Sequence, residues 1–309
     1  MTTQCPEIKK IFVAHSPCRD GNSALWVAWT KHHDGAEYLR ESHGEYAITR
    51  SLLEDENVYA YDITFLDICP PRHLLENLHK LAYRCEVWDH HKTAEEQCGD
   101  LPYVHIDQDK CGATFTFSKI YPNTELPFLL KIVEDGDTWR FRQPNSKLFG
   151  FWLSQQKFSY ERWSEICDQL ESDTGREEAL KAARSTWEFQ QSLIRMATTR
   201  RKIHWLELPK AGTRIPAINM SLMQSEIGNA LCLKEKHQGA AVYYRGNEQY
   251  YFSLRSTDRG PDVSEIAKCY GGGGHRNASG FVVPTLEDLH FTEMTELEIE
   301  SMFPELEIE

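Results

Sequence analysis

Arg84-Cys85-Glu86-Val87-Trp88-Asp89-His90-His91 is the stretch that decides how this chain folds and where its chemistry lies. Its first five residues form a short β-favouring run, and three metal-competent side chains follow in succession. Open α/β sheets hold ligands in the crevice at the carboxyl ends of parallel strands. A strand delivering Asp-His-His to that end therefore reads as the start of a site. Imidazole with carboxylate suits manganese, iron or zinc better than calcium. Alone the triplet is weak, because a chain with 13 histidines can place such residues in a solvated turn. Other strand ends that carry matching groups strengthen it.

Upstream, Lys9 to Ala14 has the pattern of a buried strand and delivers His15. The turn-rich Ser16-Pro17-Cys18-Arg19-Asp20-Gly21 follows, then a predicted helix from Asn22 to His32. That loop offers His15, Cys18 and Asp20 to one point, although Asp20 and Asn22 also suit a turn and a helix cap. Ala36 to Arg40 reads as a second strand, and Asn57 to Tyr61 as a clearer one ending at Asp62-Ile63-Thr64. Pro70 and Pro71 open a helix to about Leu81. Downstream, Tyr103 to Ile106 is another strand, and Cys111-Gly112-Ala113-Thr114 leads a helix to about Ile120. A helix from Pro127 to Val133 runs into Glu134-Asp135-Gly136-Asp137, which also reads as a plain turn. Strands alternating with helices predict an α/β domain with a mostly parallel sheet and helices on both faces.

From about Ser146 the pattern turns helical as far as Arg201, with Ser159 to Leu170 and Thr174 to Thr199 as its main segments. It reads as a helical connector whose Trp152, Trp163, Trp187 and Phe189 are core residues. A smaller C-terminal α/β domain follows. Its strands are expected at Lys202 to Leu208, Ile215 to Asn219, Gly239 to Arg245, Gln249 to Arg255 and Gly280 to Val283. Its helices are expected at Ser221 to Lys234 and Pro261 to Tyr270. Between the last helix and strand lies Gly271-Gly272-Gly273-Gly274-His275-Arg276-Asn277-Ala278-Ser279. Glycines let backbone amides approach an anion, and His275, Arg276 and Asn277 add donors. A flexible linker explains the glycines but not the polar residues after them. Pro284 to Glu309 reads as an acidic tail, either disordered or a docking strand. The expected domains are thus 1–145, 146–201, 202–284 and 285–309.

The chain has 309 residues, 40% hydrophobic and 26% charged, enough for about two domains with cores of their own. Its apolar runs are far shorter than a membrane span, and Met1 to Lys10 has no signal-peptide core, so a cytoplasmic protein without membrane contact is expected. Nine scattered cysteines with no C-x-x-C pair argue for reduced thiols. The net charge is −13, of which Glu287 to Glu309 supplies nine negative charges and no positive one. A body at −4 lacks the broad basic face of a duplex-binding protein, while small anionic substrates remain open. Beyond Arg200-Arg201-Lys202 no dense basic run marks the channel of a processive single-strand exonuclease.

His15 with Asp20-Gly21, then Asp62, Asp89-His90-His91, Asp135 and Gly271 to His275 stand in one order along the chain. This order resembles the DHH phosphoesterase family, in the branch with a DHH-associated C-terminal domain, and it covers about residues 9–140 and 200–284. The resemblance implies two divalent metal ions, manganese before others, held by His15, Asp20, Asp62, His90 and Asp135. Asp62 would bridge them, and Asp137 competes with Asp135. It implies a catalytic His91 facing the phosphate, with Asp89 orienting the histidines. Arg255 and Ser256 in the second domain, with Gly272, Gly273, Gly274, His275 and Asn277, would bind substrate. The implied activity is hydrolysis of phosphodiester bonds in short oligonucleotides or dinucleotides by a metal-activated water, with room for a homodimer. Alternatives are a nucleotide sensor with an incomplete metal site, or a phosphatase of polyphosphate or bisphosphate nucleotides. The chain departs from the family at Cys18, where an aspartate is usual. A thiolate shifts preference toward zinc, a thiol is a poor ligand, and a simple buried cysteine is equally open.

Overall fold

The computed structural model describes residues 7–42, 44, 46–198, 203–232 and 238–302, which fall into two compact units divided after Trp187. In the first, β1 (Lys9–His15), β2 (Glu37–Glu41), β3 (Tyr61–Leu66), β4 (Arg84–Asp89) and β5 (Val104–Ile106) form one parallel sheet in the order β2-β1-β3-β4-β5. The connections run through α1 (Arg19–His32), α2 (Ala47–Glu54), α3 (Arg72–Leu81) and α4 (Lys92–Cys98). Side chains alternate across a strand, so each strand serves two cores. Ile11, Val13, Ile63, Phe65 and Val87 face one core with Leu75 and Leu78 of α3. Phe12, Ala14 and Leu66 face the other with Leu25 and Val27 of α1. Burial on both faces is why these strands read as continuous apolar runs. The strand order changes direction between β1 and β3, which opens the crevice beyond their carboxyl ends.

Strand β3 starts four residues later than the sequence suggested. Val58–Ala60 forms a single 3₁₀ turn, and the strand is Tyr61–Leu66. Asp62 therefore lies near its amino end, and Asp67 follows its carboxyl end. Helix α6 (Phe128–Asp137), preceded by α5 (Gly112–Ile120), carries Asp135 and Asp137 in its last turn rather than in a loop. The region expected to be a connector instead completes the first core. From α7 (Ser146–Ser154), α8 (Tyr160–Leu170) and α9 (Asp173–Ala197), Phe149, Trp152, Trp163, Ile166 and Ala183 are buried in the cluster that holds Leu25 and Leu129. Trp163 is 2% exposed and donates through its indole N–H to Ser23 of α1 at 3.0 Å, which ties α8 to the helix behind the site. Phe189, by contrast, is exposed rather than core.

The second unit has a seven-stranded sheet in the order β10-β11-β9-β8-β7-β6-β12. These are β6 (Ile203–Leu208), β7 (Thr213–Asn219), β8 (Gly239–Gly246), β9 (Gln249–Ser256), β10 (Gly273–His275), β11 (Ala278–Val283) and β12 (His290–Glu293). Helices α10 (Gln224–Cys232) and α11 (Val263–Lys268) cover opposite faces. Only β7 and β8 run parallel among the described pairs. Part of the expected acidic tail is sheet: β12 pairs antiparallel with β6, and α12 (Glu296–Met302) follows. Arg200-Arg201-Lys202 and the last residues of the tail lie outside the described residues. Among the described residues no helix is long and apolar enough to cross a membrane.

Candidate metal centre

The site is built where β1, β3 and β4 end. His15 ends β1, Asp67 follows β3, and His90 follows β4. Asp67 is 1% exposed and its carboxylate stands between two sets of donors. Its Oδ2 lies 3.7 Å from Cys18 Sγ and 3.9 Å from His15 Nδ1, while its Oδ1 lies 3.1 Å from His90 Nε2. His90 Nε2 is in turn 3.6 Å from Asp20 Oδ2 and 3.5 Å from Asp137 Oδ2. Two ligand sets result, His15–Cys18–Asp67 and Asp20–His90–Asp137, with Asp67 touching both.

Local backbone makes this packing possible. Asp67 sits in the left-handed region (φ 58°), a conformation that aspartate tolerates better than most residues and that is often kept at functional sites. A Cβ at Gly112 would come within 2.4 Å of the Asp67 Cβ, so the start of α5 can approach only as glycine. A Cβ at Gly21 would lie 2.1 Å from the His15 carbonyl oxygen, so α1 likewise needs glycine to reach the end of β1. Asp20 accepts from the amides of Gly112 (2.6 Å) and Ala113 (2.7 Å), which fixes its carboxylate against the amino end of α5.

The electrostatics are those of a cation site. Burial and the neighbouring Asp67 and Asp137 carboxylates push the Asp20 carboxyl well above the usual range. Burial does the same to Asp67, with Asp137 and Asp89 adding to it against the pull of His91. The Cys18 thiol is raised by burial and by Asp67, Asp20 and Asp137. Asp137 Oδ2 is buried with no hydrogen-bond donor. Carboxylates crowded against one another, one with an oxygen that accepts no hydrogen bond, fit divalent cations, and the imidazole, thiol and carboxylate donors fit transition metals better than calcium. His91 differs. Burial disfavours its charged form, yet Asp89, 2.7 Å from Nδ1, raises the imidazole to about 10. Burial works against the Asp89 carboxylate too, but the histidine charges and the amides of His90 (2.7 Å) and His91 (3.2 Å) hold it below the usual range.

Two sequence-predicted residues fall elsewhere. Asp62 is ion-paired with Lys10 (3.1 Å) and Arg84 (3.3 Å), its cross-strand partners at the amino ends of β1 and β4, and is not in the cluster. Asp135 accepts from the amides of Arg142 (2.8 Å) and Gln143 (2.9 Å), so it ties down the strap after α6, and Asp137 is the one beside His90. Asp67 escaped sequence reading because Tyr59-Ala60-Tyr61 looks strand-like. The signal that points to it is the stretch Ile63 to Ile68, in which Asp67 is the only charged residue, just before Pro70-Pro71.

In the second unit, the glycine-rich stretch is no linker. Gly273–His275 is β10, paired with β11, and Gly271 (φ 77°) and Gly274 (φ 134°) supply turns that other residues resist. Arg255 lies opposite Ala278 in the register and donates to Ser225 Oγ and the Leu254 carbonyl (2.7 Å). Ser256 Oγ and Asn277 Oδ1 are 3.1 Å apart, and Asn277 also donates to Asp258 (2.6 Å). Ser256 and Asn277 thus shape the hairpin, while Gly272 passes so close to Gly280 that a Cβ would lie 2.0 Å from its carbonyl oxygen.

A family model of the DHHA1 domain matches residues 219–296, the greater part of this second sheet, in the same chain as the Asp89-His90-His91 cluster. Its second unit carries a DHHA1 domain. The chain is 25% identical over 283 residues to an uncharacterized protein of Acanthamoeba polyphaga mimivirus, covering 87% of the chain and 66% of that protein. It is 27% identical over 220 residues to oligoribonuclease NrnB of Bacillus subtilis (strain 168), covering 64% and 52%. It therefore spans less than two thirds of either relative. A crystal structure of an exopolyphosphatase-related protein from Bacteroides fragilis shares its fold, with a TM-score of 0.50 at 14% identity over 95% of this chain and 90% of that one.

Proposed function

We propose that this protein is a metal-dependent phosphodiesterase of short oligonucleotides or dinucleotides, with Asp67 shared between two cation positions. The observation that carries this reading is the Asp67 carboxylate, one oxygen turned to His15 and Cys18 and the other to His90. His15, Cys18 and Asp67 would hold one ion, and Asp20, His90, Asp137 and Asp67 the other. Divalent cations bound there acidify water and offset charge on a phosphoryl group. The similarity to a protein named an oligoribonuclease supports short nucleotide substrates.

The remaining roles belong to the protein's own groups. Asp89 engages His91 Nδ1 and both following amides, so it sets the ring's orientation. An imidazole N–H at this edge can donate to a phosphate oxygen or to a departing alkoxide. Asp62 serves the sheet rather than the chemistry. Arg255, His275 and the Gly272–Gly274 backbone are proposed to bind the part of the substrate away from the scissile bond. A metal-by-substrate screen on the purified protein tests this. Manganese, zinc and cobalt would each be combined with dinucleotides, short RNA, cyclic dinucleotides, bisphosphate nucleotides and polyphosphate. Turnover confined to polyphosphate, or none with any metal, would contradict it.

A further inference from the structure

Cys18 occupies the N-cap position of α1 and faces the cluster. It precedes the first turn of that helix, and its side chain does not cap it. Its Sγ is turned to Asp67 Oδ2 at 3.7 Å, the same oxygen that His15 Nδ1 approaches at 3.9 Å. All three donor atoms lie within 4.8 Å of one another. Around a four-coordinate ion with metal–nitrogen and metal–sulfur bonds of about 2.0 and 2.3 Å, neighbouring donors stand roughly 3.5 Å apart, close to what is seen here. Cysteines that only fill space in this protein look different: Cys85 lies among Ile63, Phe65, Leu78 and Val87, whereas Cys18 faces carboxylates and an imidazole. The adjoining set, Asp20, His90 and Asp137, offers oxygen and nitrogen only.

We propose that the His15–Cys18–Asp67 subsite is a sulfur-containing site that selects zinc, cobalt or iron(II) over manganese, while the Asp20–His90–Asp137 subsite takes a harder ion. The two positions would then prefer different metals. This rests on the reading that the cluster holds cations. Softness is the physical reason: thiolate favours the softer ions, and carboxylate with imidazole is less selective. As the metal–sulfur bond forms, the thiol proton passes to solvent, so no oxidant or reductant is involved.

The test loads the metal-stripped, full-length protein with cobalt(II) and reads its absorption. A near-ultraviolet thiolate-to-cobalt band is expected in the wild type and in Cys85→Ser, whose side chain lies in the apolar core, and its loss in Cys18→Ser, which keeps the side chain's size. In zinc–manganese competition, Cys18→Asp should lower the preference for zinc by more than the roughly 10–100-fold that loss of a merely supporting residue produces. Cobalt binding without the band, a band that survives Cys18→Ser, or an unchanged preference in Cys18→Asp would overturn the proposal while leaving a metal site in place. A protein that binds no cobalt at all would remove the metal reading with it.

Discussion

Asp62 and Asp67 are both aspartates of one β segment, and their surroundings give them opposite tasks. Asp62 faces Lys10 and Arg84, whose side chains are partly exposed, so the interaction is screened and worth no more than about 1 kcal/mol. Asp62→Asn should leave turnover within about twofold and lower stability by at most that amount, read by assay and thermal melt. A large loss of activity would return Asp62 to the site. The Asp89–His91 pair makes a pH-dependent claim for the metal-stripped protein. His91 has its pKa raised to about 10, so its contribution is complete below the unfolded value of ~6.5 and is lost as pH climbs toward 10. Asp89 is shifted downward, so its contribution is present above ~3.9 and fades as pH falls below that. The stability advantage of the wild type over Asp89→Asn should therefore narrow between pH 7 and 10. A difference that stays constant to pH 10 would contradict the pairing.

Elements carry the next level, because each site residue is placed by a strand end or a helix end. The last turn of α6 shows the division of labour between two aspartates one residue apart. Asp135→Ala removes the acceptor of two backbone amides and should cost about 1–3 kcal/mol in a denaturation experiment. Asp137→Ala should leave stability nearly intact or raised, since it removes one of the carboxylates crowded around Asp20 and Asp67, and should weaken metal binding instead. The reverse pattern would show that the two have been exchanged. Much of this was legible in the sequence. His15, Asp20 and His90 are brought together as the strand-end pattern suggested, because apolar strands buried on both faces announce where they stop. Asp67 was missed because strand propensity at Tyr59 to Tyr61 does not reveal a 3₁₀ turn, and a shift of a few residues exchanges one end of the strand for the other. Asp135 and Asp137 could not be separated, since their difference depends on which way a helix ends. The stretch 146–201 reads as a helical connector because amphipathic spacing does not say which core its helices cover.

At the scale of the whole molecule, the chain joins a parallel sheet that gathers the candidate metal ligands to a mixed sheet that carries Arg255 and the glycine hairpin. If the second unit binds the remote part of a nucleotide, Arg255→Ala should raise KM for dinucleotides by about tenfold or more, close to 1.4 kcal/mol. The effect on bis(p-nitrophenyl) phosphate, which is too small to use remote contacts, should be much less. Equal losses on both substrates would contradict that role for the second unit.

The most direct measurement is metal stoichiometry and turnover on the same stripped and reloaded samples of wild type and Asp67→Asn. Two equivalents per chain are expected in the wild type and at most one in Asp67→Asn. Dinucleotide hydrolysis should fall in the variant on the order of 10³-fold or more, equivalent to at least ~4 kcal/mol of transition-state stabilisation. Two equivalents bound with normal turnover in Asp67→Asn would contradict a shared carboxylate at the centre of the site.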